Sequence, residues 1–300
     1  MEFSVWSSNA RARIEKRLSH AIEQRSRTAV GRGDAVLYEA MRYGLLGGGK
    51  RIRALLALAT GEAVGARTEW CETVGAAIEC IHAFSLVHDD MPCMDDDALR
   101  RGQPTVHVKY GQAQALLVGD ALQTLGFELI SEMDAPAETV VRLVGLLARA
   151  TGAAGMAGGQ AVDIEAVGKP MTQTALERMH SLKTGALISA SVEMGAACGV
   201  VDHALAEALS RYAALIGLAF QVADDVLDVS ADAQTLGKTP GKDAAANKPT
   251  FVALLGLNGA QGYANGLYRD ALGALDSFGA QAQKTLRLRE LAKNVVERSH

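Results

Sequence analysis

Alanine, leucine, glutamate and glutamine recur three or four positions apart along almost the whole chain, the spacing of helices with one apolar face. Runs of β-branched residues alternating with polar ones are hard to find, so the pattern predicts an all-α protein. Helices are expected near 8–26, 33–46, 51–64, 70–90, 111–132, 137–153, 173–197, 203–229, 249–257 and 261–297, the last broken near Gly279. Breakers fall between these stretches, at 47–49, around Pro92, at 102–104, at 168–170 and from Gly237 to Gly241. None is a long linker and no period of 20 to 50 residues repeats, so residues 1–300 read as one domain.

Two acidic clusters interrupt the apolar pattern in the same way. The first, Asp89-Asp90-Met91-Pro92-Cys93-Met94-Asp95-Asp96-Asp97, ends a helix on which Ile78, His82, Ser85 and Asp89 form one stripe at i, i+4, i+7 and i+11. The second, Asp224-Asp225-Val226-Leu227-Asp228, repeats that spacing through Gly217, Gln221, Asp224 and Asp228. Carboxylates one helical turn apart lie roughly 5–6 Å apart at Cβ and repel unless a cation sits between them. Carboxylate-only sites without histidine or cysteine suit Mg²⁺, which bridges one or two carboxylates to substrate phosphates.

Cations that could meet such phosphates are present at helix ends. Gly47-Gly48-Gly49 precedes Lys50, Arg51 and Arg53 at the start of a helix, where free N–H groups and the dipole favour anions. Arg100, Arg101, Lys183, Lys238, Lys242 and Lys248 stand near other breaks. The stretch from Gly44 to Lys50 has P-loop spacing, but Arg51 occupies the Ser/Thr position and no strand precedes it, which argues against a nucleotide site. Two ExxH tetrads, Glu79 with His82 and Glu177 with His180, allow a di-iron bundle as an alternative, one that leaves the aspartates and lysines unused.

The charge balance narrows the class further. Thirty basic and 34 acidic residues are mixed along the chain without a basic tract, so no nucleic-acid partner is implied. Cys71, Cys80, Cys93 and Cys198 form no CxxC pair and no leader pattern opens the chain, which fits reduced thiols in a cytoplasmic protein. Charges such as Arg142, Arg149 and Glu193 interrupt the apolar stretches, so no membrane span is expected.

Taken in order, GGGKRIR at 47–53, HAFSLVHDDMPCMDDDALRRGQPTVH at 82–107, GDALQTLGFE at 119–128, GGQAVDIE at 158–165, HSLKTGALI at 180–188 and GLAFQVADDVLD at 217–228 resemble the trans-prenyl diphosphate synthases, most of all their bacterial farnesyl branch. The resemblance runs from about residue 35 to 255. It implies an isoprenoid synthase fold of ten or more helices around a deep cavity, as a homodimer. It also implies Mg²⁺-dependent condensation of isopentenyl diphosphate with an allylic diphosphate, with farnesyl diphosphate as product and geranyl or geranylgeranyl diphosphate as alternatives.

Carried over by position, Asp89, Asp90, Asp95, Asp224 and Asp228 correspond to acids that hold three Mg²⁺. Arg100, Lys183, Lys238 and Lys248 correspond to the cations on the allylic diphosphate, although Asn247 and Pro249 depart from the usual flanks of Lys248. Lys50, Arg53, His82 and Arg101 correspond to the isopentenyl diphosphate site, and Lys183, Thr184 and Gln221 to groups beside the allylic cation. Asp163 is expected either to order this region or to cap its helix. Phe84 and Ser85 stand where the resemblance places chain-length control. A noncatalytic partner subunit is a third reading; such subunits lack an aspartate motif, and both motifs are present here.

Overall fold

The computed structural model describes residues 2–230 and 248–297. Within them the chain is all-α, as the pattern predicts. It begins with α1 (Phe3–Ser26), α2 (Arg32–Leu46), α3 (Ile52–Val64) and α4 (Thr68–Asp89). A two-stranded hairpin, β1 (Leu99–Arg100) with β2 (Gln103–Pro104), leads into α5 (Val106–Tyr110), α6 (Gln112–Ser131), α7 (Ala137–Thr151) and α8 (Met156–Ala166). Next come α9 (Gln173–His180), a π-helical turn at Ser181–Gly185, α10 (Ala186–Ala197) and α11 (His203–Ser230). The described chain closes with α12 (Phe251–Ala274), a 3₁₀ stretch at Leu275–Thr285 and α13 (Leu286–Glu297).

Helices α3 and α10 supply the centre. Every residue from Ala54 to Gly61 of α3 is buried, and α10 is apolar on nearly all faces, so each is a core helix without a solvent face. α10 packs on α3, α7 and α11; α4 packs on α3 and α6; α11 packs along α12. The ends of α4 and α11, which carry the two acidic motifs, thereby come to one side of the core. A buried ion pair pins the entry to α3: Arg51 Nη1 meets Glu79 Oε2 at 3.1 Å, and its Nε donates to Glu15 at 2.7 Å. Arg51 also adopts a left-handed conformation (φ 51°).

Four expectations are corrected. Helix α8 was not expected, because GMAGGQAV offers two adjacent glycines where a helix is usually weak. The helix expected over 173–197 is interrupted by the π turn at Ser181–Gly185, a rearrangement that hydrophobic spacing does not encode. The break expected between 257 and 261 is a kink inside α12 at Gly256 (φ 70°), while the one near Gly279 (φ 51°) is a 3₁₀ stretch. Finally, Ala137–Ala166 is long and apolar enough by composition to cross a membrane, contrary to the expectation. In the structure it is two helices, α7 and α8, separated at 152–155, with Arg142 and Arg149 exposed on the first.

Candidate active site

A cavity of about 560 Å³ opens between the end of α4, α8, the π turn and α11. Its size is within the usual range for small-molecule sites. Asp89 and Asp224, one from each acidic motif, share this cavity with Arg53, His82, Lys183 and Thr184. Phe84, Ser85, Met156, Ile164 and Phe220 give it apolar walls. Eight of the side chains singled out from the sequence therefore converge on one space: Arg53, His82, Phe84, Ser85, Asp89, Lys183, Thr184 and Asp224. Phe220 and the apolar wall residues Met156 and Ile164 of α8 were not anticipated; the helical spacing of Phe220 from Asp224 was the available signal for the first.

The acids of the first motif have different surroundings. Burial, reinforced by the charges of Asp95 and Asp90 and opposed by Lys183 and Arg100, pushes the Asp89 carboxyl up to about 6. Asp95 meets Lys248 Nζ at 3.1 Å. Asp90 is buried and takes both Nε (2.8 and 2.9 Å) and Nη2 (2.5 Å) of Arg100, held at the hairpin. Asp90 and Arg100 thus engage each other here, so their joint charge at the cavity is small.

Among the described residues no three His, Cys, Asp or Glu side chains converge as a ready-made metal cage. The residues nevertheless fit a hard divalent cation. Asp89 is a partly buried acid crowded by like charges and it lines the cavity together with Asp224, so a cation there would relieve the cost of ionising it. Mg²⁺ takes one or two carboxylates and completes its shell with water and phosphate, which matches a donor set that is incomplete without ligand.

On the opposite wall, α8 lies so close to the π turn that any Cβ at Gly159 would overlap the backbone of Lys183. That approach lets Asp163, buried on α8, accept from Lys183 Nζ at 2.5 Å, so Asp163 orders the lysine and does not cap its helix. Thr184 Oγ1 donates to Gln221 Oε1 at 3.1 Å. Asp228 is buried on α11. On the wall that carries Arg53, burial and then the charges of Arg53, Arg101, Arg100 and Arg51 push the His82 imidazole well below its usual range, so it is neutral. Arg101 donates to the Gly48 carbonyl and lies in a small crevice beside the cavity. Lys50 lines a separate pocket with Arg11, Leu291 and Asn294. Lys238 and Lys242 lie outside the described residues.

The di-iron alternative fails on geometry. Glu79 is committed to Arg51 and to the Ala54 N–H, and Glu177 accepts from Tyr263 and Gln173. His180 is buried against Phe251 with neither ring nitrogen hydrogen-bonded. Burial pushes its imidazole down to about 4, outweighing Asp163. In the unfolded chain the ring titrates near 6.5, so as pH falls from about 7 the unfolded state gains the proton first and the fold loses stability down to about pH 4. Between about pH 7 and pH 5 this amounts to about 2 kcal/mol. Urea titrations should therefore show His180→Leu losing about 2 kcal/mol less than the parent over that interval. An equal loss in both proteins would rule out a buried neutral His180.

Residues 34–286 match the family model for polyprenyl synthetase. The chain belongs to the polyprenyl synthetase family. Within that family it is 49% identical over 265 residues to the farnesyl diphosphate synthase of Escherichia coli, covering 87% of this chain and 89% of that protein. Among solved structures, it is similar to an FPP/GFPP synthase from Zymomonas mobilis, with TM-score 0.85, 39% identity and 98% of both chains covered. It is also similar to a geranyltransferase from Helicobacter pylori complexed with magnesium and isoprenyl diphosphate, with TM-score 0.87, 35% identity, 99% of this chain and 98% of that one covered. Like these relatives, this polyprenyl synthetase is a prenyltransferase with an isoprenoid synthase fold.

Proposed function

We propose that this chain is a farnesyl diphosphate synthase, condensing isopentenyl diphosphate with dimethylallyl and then geranyl diphosphate in isoprenoid biosynthesis. The observation that carries the reading is the placement of Asp89 and Asp224 on either side of one cavity whose remaining walls divide into cationic and apolar parts. Bound at Asp89, Asp95, Asp224 and Asp228, with Asp90 supporting through Arg100, three Mg²⁺ ions would supply neutralisation of the departing diphosphate.

The chain's own residues account for the rest. Lys183, held by Asp163, and Lys248, beside Asp95, bring positive charge to the allylic diphosphate, with Arg100 and Lys238 assigned to the same group. The allylic C–O bond breaks with its electron pair leaving on diphosphate, and the carbon left behind becomes cationic. Backbone carbonyls of Lys183 and Thr184, with Gln221 Oε1, put partial negative charge beside it. The double bond of isopentenyl diphosphate, seated by Arg53, His82 and Arg101, attacks that carbon, and the proton released passes to diphosphate; Lys50, in its separate pocket, is left out of this seat. Neutral His82 fits this role as a hydrogen-bonding group that adds no charge to the arginines around it.

We assign the homodimer, with Leu116 and Leu117 of α6, each 49% exposed, and Val141 of α7, 71% exposed, as apolar side chains available for pairing. The four free cysteines suit a cytoplasmic setting. Incubation of the purified protein with Mg²⁺, isopentenyl diphosphate and either allylic substrate, followed by sizing of the products, tests the reading. Farnesyl diphosphate as main product supports it; no condensation, or a longer main product, rejects the assignment. Arg53→Ala should raise KM for isopentenyl diphosphate at least about tenfold and change that for geranyl diphosphate by less than about twofold. Equal increases would show that the two diphosphate pockets are assigned the wrong way round.

A further inference from the structure

The middle acid of the second motif, Asp225, is buried and points away from the cavity that Asp224 lines. Its Oδ1 accepts from Gln221 Nε2 at 3.0 Å and its Oδ2 accepts from the Phe251 backbone N–H at 2.8 Å, at the start of α12. The other end of the Gln221 amide accepts from Thr184, on the π turn. Phe251 in turn stacks on His180, the residue immediately before that turn, with ring centroids 5.6 Å apart. These contacts join α11, α12 and the π turn in one closed circuit.

We propose that Asp225 is a positioning residue that fixes which end of the Gln221 amide faces Thr184 and the reacting carbon, and that it is not a metal ligand. The argument rests on the reaction assigned above and on hydrogen-bond polarity. A carboxylate only accepts, so Gln221 must turn its NH₂ towards Asp225 and its carbonyl oxygen towards Thr184, which lines the cavity. Reversed, the amide would present N–H dipoles where the developing cation requires oxygen.

The polarity can be inverted and restored with nearly isosteric side chains. In Asp225→Asn the oxygen is retained by the Phe251 N–H, so the new NH₂ faces Gln221 and forces its amide to turn over, while the start of α12 keeps its partner. The expected result is a kcat at least about tenfold lower, with KM for both substrates and the half-saturating Mg²⁺ concentration within about twofold of the parent. Adding Gln221→Glu replaces the turned amide by a group that accepts on both sides, so the Asp225→Asn/Gln221→Glu protein should recover most of the lost rate.

A double variant as slow as Asp225→Asn alone, or an Mg²⁺ requirement raised by Asp225→Asn, would overturn the proposal. A second readout does not depend on turnover. In protein labelled with ¹⁵N-glutamine, the Gln221 side-chain amide signal, identified by its loss in Gln221→Glu, should shift in Asp225→Asn. An unmoved signal would refute the orienting contact even if the unaltered protein catalysed a different condensation. Failure of that protein to make farnesyl diphosphate would count instead against the assigned reaction.

Discussion

Asp89→Ala and Asp224→Ala should each lower kcat at saturating substrate by at least about 100-fold. The two acids come from different helices, α4 and α11, and meet only at the cavity, so neither can replace the other. Each serves a leaving group whose negative charge grows as the C–O bond breaks, and an interaction that strengthens along the reaction appears in kcat more than in KM. Asp89 gives the sharper test. Its carboxyl is pushed up to about 6 by burial, so alanine there removes an unfavourable charge and should not harm the fold. Steady-state kinetics with geranyl and isopentenyl diphosphate, together with thermal denaturation, separates the two effects. Near-parental kcat in either variant at ordinary Mg²⁺ would remove that acid from the metal site.

Phe84→Ala should move the product from fifteen carbons towards twenty or more while initial condensation continues. Phe84 is five residues before Asp89 on α4, which at 1.5 Å per residue puts it roughly 7.5 Å further into the molecule. There it forms part of the cavity wall, its ring edge-on to His88 with centroids 5.7 Å apart. Each added isoprene unit brings five carbons that gain about 4 kcal/mol if buried, so chain growth continues wherever space allows. A rigid ring denies that gain and adds the cost of overpacking. Ser85, also in the wall, is too small to take over once the ring is gone. Chromatography of the products decides the matter: farnesyl diphosphate alone from Phe84→Ala would mean that another group closes the pocket.

The fold class and most of the site were legible because both follow helical spacing. The stripes His82-Ser85-Asp89 and Gln221-Asp224-Asp228 each put polar groups on one side of an apolar helix, and only helices could bring them together. Less legible was what each acid does with its oxygens. Asp90 and Asp89 are adjacent in sequence, yet one is held by Arg100 from the hairpin and the other lines the cavity. Arg51 resembled its neighbours Lys50 and Arg53 but turns inward to Glu79, and Lys50 faces a different pocket. These choices depend on partners distant in sequence, Arg100 for Asp90, Glu79 for Arg51 and Leu291 and Asn294 for Lys50, beyond the reach of local spacing. The π turn and α8 were missed for a related reason, since both are stabilised by packing on each other at Gly159.

Glycine at position 119 has a role that the sequence conceals. Any side chain there would overlap the imidazole of His88, whose Nε2 lies 3.0 Å from the Leu116 carbonyl on the same helix and whose ring supports Phe84. The cavity wall at Phe84 is therefore a three-layer stack, α6 backbone, imidazole and phenyl ring, with its foundation on α6. If Phe84→Ala lengthens the product as expected, product size belongs to that whole stack. Gly119→Ala is then expected to change product length too, since a single methyl group on α6 would displace His88 and, through it, Phe84.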